Sequence, residues 1–98
     1  KFKKISFLVS CVLLVSVSCS DYQKLLNSDD TSEKYKQAEV FYNNGEYRKA
    51  NRLFEQIVPK YRGKPQAQRI IFFFADSYFQ TKSYSLAAYQ YENFVKSY

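Results

Sequence analysis

The sequence predicts an all-α fold, built of helix–turn–helix pairs repeated along the chain as an α-solenoid and preceded by a secretory signal. Three observations carry this. Sliding the chain against itself by 37 residues lays Ala38, Phe41, Tyr47, Ala50, Phe54, Ile57, Val58 and Tyr61 on Ala75, Tyr78, Tyr84, Ala87, Tyr91, Phe94, Val95 and Tyr98. A period between 20 and 50 residues marks stacked repeats. Within each unit the apolar residues recur at three- and four-residue steps, which draws one stripe down a helix. The opening 18 residues are different in kind: basic, then apolar, then small, with no acidic residue before Asp21.

The opening segment begins with the basic KFKK of residues 1–4, followed by the apolar run Ile5–Val17, broken only by small Ser and Cys. A helix of that length covers about 20 Å, short of the roughly 30 Å hydrocarbon core of a bilayer. A basic start, a short apolar run and small residues before a cut describe a secretory signal over residues 1–18. Cys19 stands where that signal meets polar sequence. On residue type alone it is a site of attachment, one half of a Cys11–Cys19 disulfide, or an inert thiol.

The first helix is expected over 31–43, with Asp30 as N-cap and Glu33 completing a variant capping box. Asn44–Gly45 ends it, since Gly accepts the left-handed cap conformation. The second helix is expected over 47–61, with Pro59 ending or bending it near Val58. Gly63-Lys64-Pro65 opens the next unit, whose helices are expected over 65–81 and 84–98. Lys82-Ser83 must serve there as the turn without Gly, which implies a looser or strained turn. Residues 20–28 read as an exposed tether with some helical character. The division is thus 1–18 signal, 19–30 cysteine and tether, 31–63 first repeat and 64–98 second repeat. Without a Met at position 1, and with the pattern still running at Tyr98, the chain reads as a fragment.

Composition narrows function. The formal charge of +6 draws on Lys1, Lys3 and Lys4, and from Cys19 onward 12 basic residues against 9 acidic leave +3. Those charges are scattered rather than striped, which argues against a nucleic-acid partner. The chain has no His and no Gly-rich phosphate loop, and only two Cys, so the usual parts of nucleophilic, zinc and nucleotide chemistry are missing. No catalytic residue, metal site or cofactor is expected. Binding has the better case. On the first helix of each unit, about a third of a turn from the core stripe, sit Tyr35, Glu39 and Tyr42, then Phe72, Asp76 and Phe79, at i, i+4 and i+7. With Arg69 and Asn43 nearby, they form a candidate groove of aromatic walls and a few polar anchors for an extended peptide. The alternative for Phe72, Phe73 and Phe79 is packing against a neighbouring helix or against further repeats expected to follow.

Two resemblances sharpen this reading. Ser16-Val17-Ser18-Cys19 resembles a bacterial lipoprotein signal, with Ser16 departing from the usual aliphatic residue. Leu8-Val9-Ser10-Cys11 fits the local pattern better but leaves only about six apolar residues before it, where seven or more are usual. The resemblance therefore implies lipidation of Cys19, and Ser20 beside it implies delivery to the outer membrane, with the chain lipid-anchored on its periplasmic side. Ala38, Gly45, Tyr47, Ala50 and Phe54, then Ala75, Tyr78, Tyr84, Ala87 and Tyr91, are similar to the tetratricopeptide pattern. The whole order, with SCSDYQKLL, "EKYKQAEVFYNNGEYRKANRLFEQIVPKYRG" and "FFFADSYFQTKSYSLAAYQYENFVKSY", resembles the N-terminal part of the BamD-like lipoproteins of outer-membrane protein assembly. That resemblance implies a non-enzymatic protein whose N-terminal repeats receive the aromatic-ending segments of unfolded barrel proteins. A BamA-like partner would be held mostly by further repeats. The alternatives are a SusD-type glycan-binding lipoprotein and a general tetratricopeptide scaffold of the envelope.

Overall fold

The structure is a computed structural model that describes residues 21–98; the signal, Cys11 and Cys19 lie outside the described residues. Helix α1 covers residues 21–26. It is followed by α2 (Thr31–Asn43), α3 (Tyr47–Ile57), a 3-10 turn (Val58–Tyr61), α4 (Ala67–Gln80) and α5 (Tyr84–Ser97). No strand occurs among the described residues, and the chain is all-α as expected. Helix α2 packs on α3, α3 on α4 and α4 on α5.

Local chemistry sets the boundaries. Asp30 caps α2 by accepting the Glu33 N–H at 3.1 Å. The expected reciprocal arm of the box is replaced: the Asp30 N–H goes to Ser28 Oγ at 3.0 Å, while Glu33 accepts from Gln37 Nε2 at 3.1 Å. Gly45 turns the chain with φ +80°, and the Glu46 N–H reaches back to the Phe41 carbonyl at 2.8 Å. The next turn is built the same way 37 residues later. Lys82 takes φ +66°, and the Ser83 N–H reaches the Tyr78 carbonyl at 2.9 Å. That second turn is as tight as the first, and the strain is confined to Lys82, which has a Cβ where Gly45 has none.

Two boundaries differ from expectation by more than one residue. The α-helix of α3 stops at Ile57 rather than running to 61, because Pro59 lacks an N–H and the last turn tightens into 3-10 geometry. Helix α4 begins at Ala67, since residues 61–67 are spent on turns closed by Lys64 N–H to Tyr61 O and Ala67 N–H to Lys64 O.

The core follows the matched positions. Ala38, Ala50, Ala75 and Ala87 are all buried, which lets helices cross closely, and Leu53, Phe54, Ile57, Ile70 and Phe74 fill the space beside them. Residues 21–28, expected as an exposed tether, are not one. Tyr22, Leu25 and Leu26 share one side of α1, and Leu26 is buried in the core. Tyr22 meets Phe41 edge-on at 5.5 Å and donates its hydroxyl to the Lys49 carbonyl at 2.9 Å. The Leu26 carbonyl accepts from Lys34 Nζ at 3.3 Å and Gln56 Nε2 at 3.2 Å, which gives the buried Lys34 side chain one acceptor. Helix α1 therefore closes the outer side of the α2–α3 pair.

Candidate protein-docking face

Helix α4 lies across α2 and α3, and this contact absorbs half of the expected groove. Glu39 on α2 accepts from Arg69 Nε at 3.1 Å. The Arg69 guanidinium also sits over the Phe73 ring at 4.7 Å. Phe73 in turn is seated between Tyr42, at 4.6 Å between centroids, and Phe54, at 6.1 Å. The Tyr42 hydroxyl donates to Asp76 Oδ2, and the Tyr91 hydroxyl donates to Asp76 Oδ1 at 3.0 Å. Tyr35 packs edge-on against Tyr61 at 5.5 Å. Asn51 donates to Ser77 Oγ at 2.8 Å, and the buried Ser77 hydroxyl donates to the Phe74 carbonyl at 2.7 Å.

The electrostatics agree with this geometry. Burial, reinforced by donation to the Asp76 carboxylate, holds the Tyr42 hydroxyl protonated well above the ordinary tyrosine range. The same causes in the same order push Tyr91 up to about 12. Tyr35 is raised by burial and then by the neighbouring Glu39 charge. The hydrogen bond to Glu39 keeps Arg69 firmly protonated. Both predicted acidic anchors are thus engaged within the protein, Glu39 by a guanidinium and Asp76 by two hydroxyls.

The other half of the expected groove is open. Phe72 is 43% exposed and Phe79 is 49% exposed, although their counterparts Tyr35 and Tyr42 are half-covered by α4 and the loop before it. The same contrast extends to α5, where Tyr84 (57%) and Val95 (72%) stand open while their counterparts Tyr47 and Val58 are half-buried. The open face is partly preformed. Phe79 meets Tyr84 at 5.5 Å in a T-shape, matching the 5.4 Å T-shaped pair of Tyr42 and Tyr47. Phe72 leans on Tyr91 at 6.1 Å and Phe94 at 5.9 Å.

Of the predicted groove residues, the structure brings Glu39 to Arg69 and Tyr42 to Asp76, and leaves Phe72 and Phe79 at the surface. Tyr35, Glu39 and Tyr42 are joined to α4 and its preceding loop rather than lining a free groove. Tyr84 and Val95 were missed as surface residues because their spacing places them in the stripe that packs α5. The signal that finds them is the 37-residue offset from Tyr47 and Val58, applied to what covers those residues rather than to their type. Among the described residues no group of three or more metal-ligating side chains occurs, and no helix is long and apolar enough to cross a membrane. No protein-family model matches the chain, and no curated protein or solved structure matches it.

Proposed function

We propose that the protein is a non-enzymatic lipoprotein of the outer-membrane β-barrel assembly machinery, resembling the BamD-like family. Its tetratricopeptide-like repeats bind unfolded barrel precursors and a BamA-like partner, and lipid on Cys19 holds it at the periplasmic side of the outer membrane. The observation that supports the reading is the aromatic surface of α4 and α5, where Phe72 and Phe79, two of the predicted groove residues, and Tyr84 beside them are exposed among the described residues. An apolar face of this kind, rimmed by polar residues, is a protein-binding feature. Aromatic rings supply large contact area at low entropic cost, and aromatic-ended segments offer matching rings.

The test is a titration of the full chain with a labelled peptide that copies a barrel strand ending in Phe, beside a scrambled peptide and an oligosaccharide. The strand peptide is expected to bind in preference to the scramble. Phe72→Ala and Phe79→Ala should each weaken it roughly thirtyfold, the loss typical of one buried aromatic anchor, with helicity unchanged. Equal binding to the scramble would refute the client reading, and binding to the oligosaccharide alone would favour the SusD-type alternative.

A further inference from the structure

Helix α1 fixes which end of the molecule lies nearest Cys19. Its first turn sits at the α2–α3 turn, where Tyr22 packs on Phe41 and donates to the Lys49 carbonyl. Its last residue, Leu26, lies towards the opposite end, where Lys34 and Gln56 donate to its carbonyl. Ser20 is the single residue between Cys19 and α1. Two residues of extended chain span about 7 Å at most, so anything attached to Cys19 is held close to Asp21. That reach is shorter than a Debye length, about 10 Å at 0.1 M salt. The same end gathers cations that are scattered in the sequence. The α2–α3 and α4–α5 turns lie side by side across a cleft of about 540 Å³, lined by Arg48, Lys49, Thr81 and Lys82. An adjoining cleft of about 330 Å³ adds Arg52, one turn on from Arg48. Glu46 is the only carboxylate lining either cleft, and Lys49 Nζ reaches it at 3.7 Å. Arg48, Arg52 and Lys82 are exposed and form no ion pair among the described residues.

From this arrangement we infer that the turn end is a membrane-contact surface, on which Arg48, Arg52 and Lys82 lie against the phosphates of anionic phospholipid. Guanidinium groups pair well with phosphate oxygens, and each cation near an anionic surface strengthens contact roughly fivefold. Lys60, Arg62 and Lys64 form a second exposed cationic group beyond the far end of α3. The direction of α1 decides between the two groups, because the chain enters the fold at the turn end. A long tether would leave the orientation open; a docked α1 with one residue before it does not. The helix pairs then stand with their turns towards the bilayer and the loop after Pro59 away from it. This inference rests on the lipidation of Cys19 proposed above and adds the orientation of the repeats and the charges that hold it.

The test reconstitutes the full, lipidated chain into vesicles of phosphatidylglycerol and phosphatidylcholine. A fluorophore is attached through Asn44→Cys at the turn end or through Lys60→Cys at the far end, and a nitroxide on the lipid headgroup quenches it. Stronger quenching at Asn44 than at Lys60 is expected, and it should fall in phosphatidylcholine alone and at high salt. Arg48→Gln, Arg52→Gln and Lys82→Gln together should weaken the surface contact about a hundredfold, while the chain stays on the vesicles. Lys60→Gln, Arg62→Gln and Lys64→Gln together should leave the Asn44 signal unchanged. Equal quenching at both positions, stronger quenching at Lys60, or indifference to the lipid charge would each overturn the inference. Release of the contact by millimolar inorganic phosphate would also overturn it, by showing a site for a free anion instead of a lipid surface. Lipid labelling of Cys19 separates the two levels. If Cys19 carries lipid and Asn44 is quenched no more than Lys60, the contact surface is wrong and the anchor stands. If Cys19 carries no lipid, the anchor reading falls and the orientation falls with it.

Discussion

Truncating Phe54 tests whether the covered and open faces differ in energy as they differ in exposure. Phe54 is fully buried and touches both Tyr42 and Phe73. An aromatic side chain buries about 150–250 Å², which at roughly 25 cal/mol per Å² stabilises by about 4–6 kcal/mol as an upper bound. Alanine keeps part of that and leaves a cavity, so Phe54→Ala should cost about 3–5 kcal/mol. A small domain has only about 5–10 kcal/mol to lose, so Phe54→Leu provides a graded arm at about 1 kcal/mol. Phe79→Ala removes a ring that is 49% exposed and leaves no enclosed cavity, and should cost only about 1–2 kcal/mol. Urea unfolding of the full chain, followed by far-ultraviolet circular dichroism, reads all three. If Phe54→Ala costs less than about 1 kcal/mol, or if Phe79→Ala costs as much as Phe54→Ala, the packing of α4 on the first pair is wrong.

Three other outcomes follow from the same structure. Lys82→Gly should stabilise by about 0.5–1 kcal/mol by relieving the left-handed backbone, whereas Gly45→Ala should destabilise by about 1 kcal/mol; a Cβ at Gly45 meets nothing within 4 Å, so that effect is backbone alone. Tyr42 and Tyr91 lose their hydroxyl protons later in the folded chain than in the unfolded one. Their contribution is therefore complete below pH 10.0, the ordinary tyrosine value, and is lost above it, for Tyr91 as pH rises through about 12 and for Tyr42 at higher pH still. Urea midpoints measured between pH 8 and 12 should fall over the upper part of that range, and less steeply in Tyr42→Phe. Cys19→Ser should abolish lipid labelling and membrane fractionation; unchanged labelling would transfer the role to Cys11.

The elements legible in the sequence were those whose signal is local or repeated. Matched Ala and aromatic positions located four helices, and the alignment of Lys82 with Gly45 located a turn that residue type alone would not suggest. The shortening of α3 was written in Pro59, although the switch to 3-10 geometry depends on the turns that follow. Helix α1 was harder to read. Tyr22, Leu25 and Leu26 form too short a stripe to specify burial; Leu26 is buried and Tyr22 and Leu25 partly so because α2 and α3 leave an apolar side there that includes Phe41. The groove shows the same limit. Helical spacing put Tyr35, Glu39 and Tyr42 on one face, and Phe72, Asp76 and Phe79 on its counterpart. Spacing carries no information about what covers a face, and here α4 and its preceding loop cover the first and leave the second open.

The central claim is that the open aromatic face receives client protein, and a photo-crosslinker placed at Phe79 in the full chain, expressed in cells with an outer membrane, tests it most directly. Glu55, exposed on α3, is the control position. Crosslinks from Phe79 to outer-membrane barrel precursors, absent from Glu55 and abolished when Tyr84→Ala is added, are the predicted result. Equal capture from both positions, or capture of glycans alone from Phe79, would contradict it.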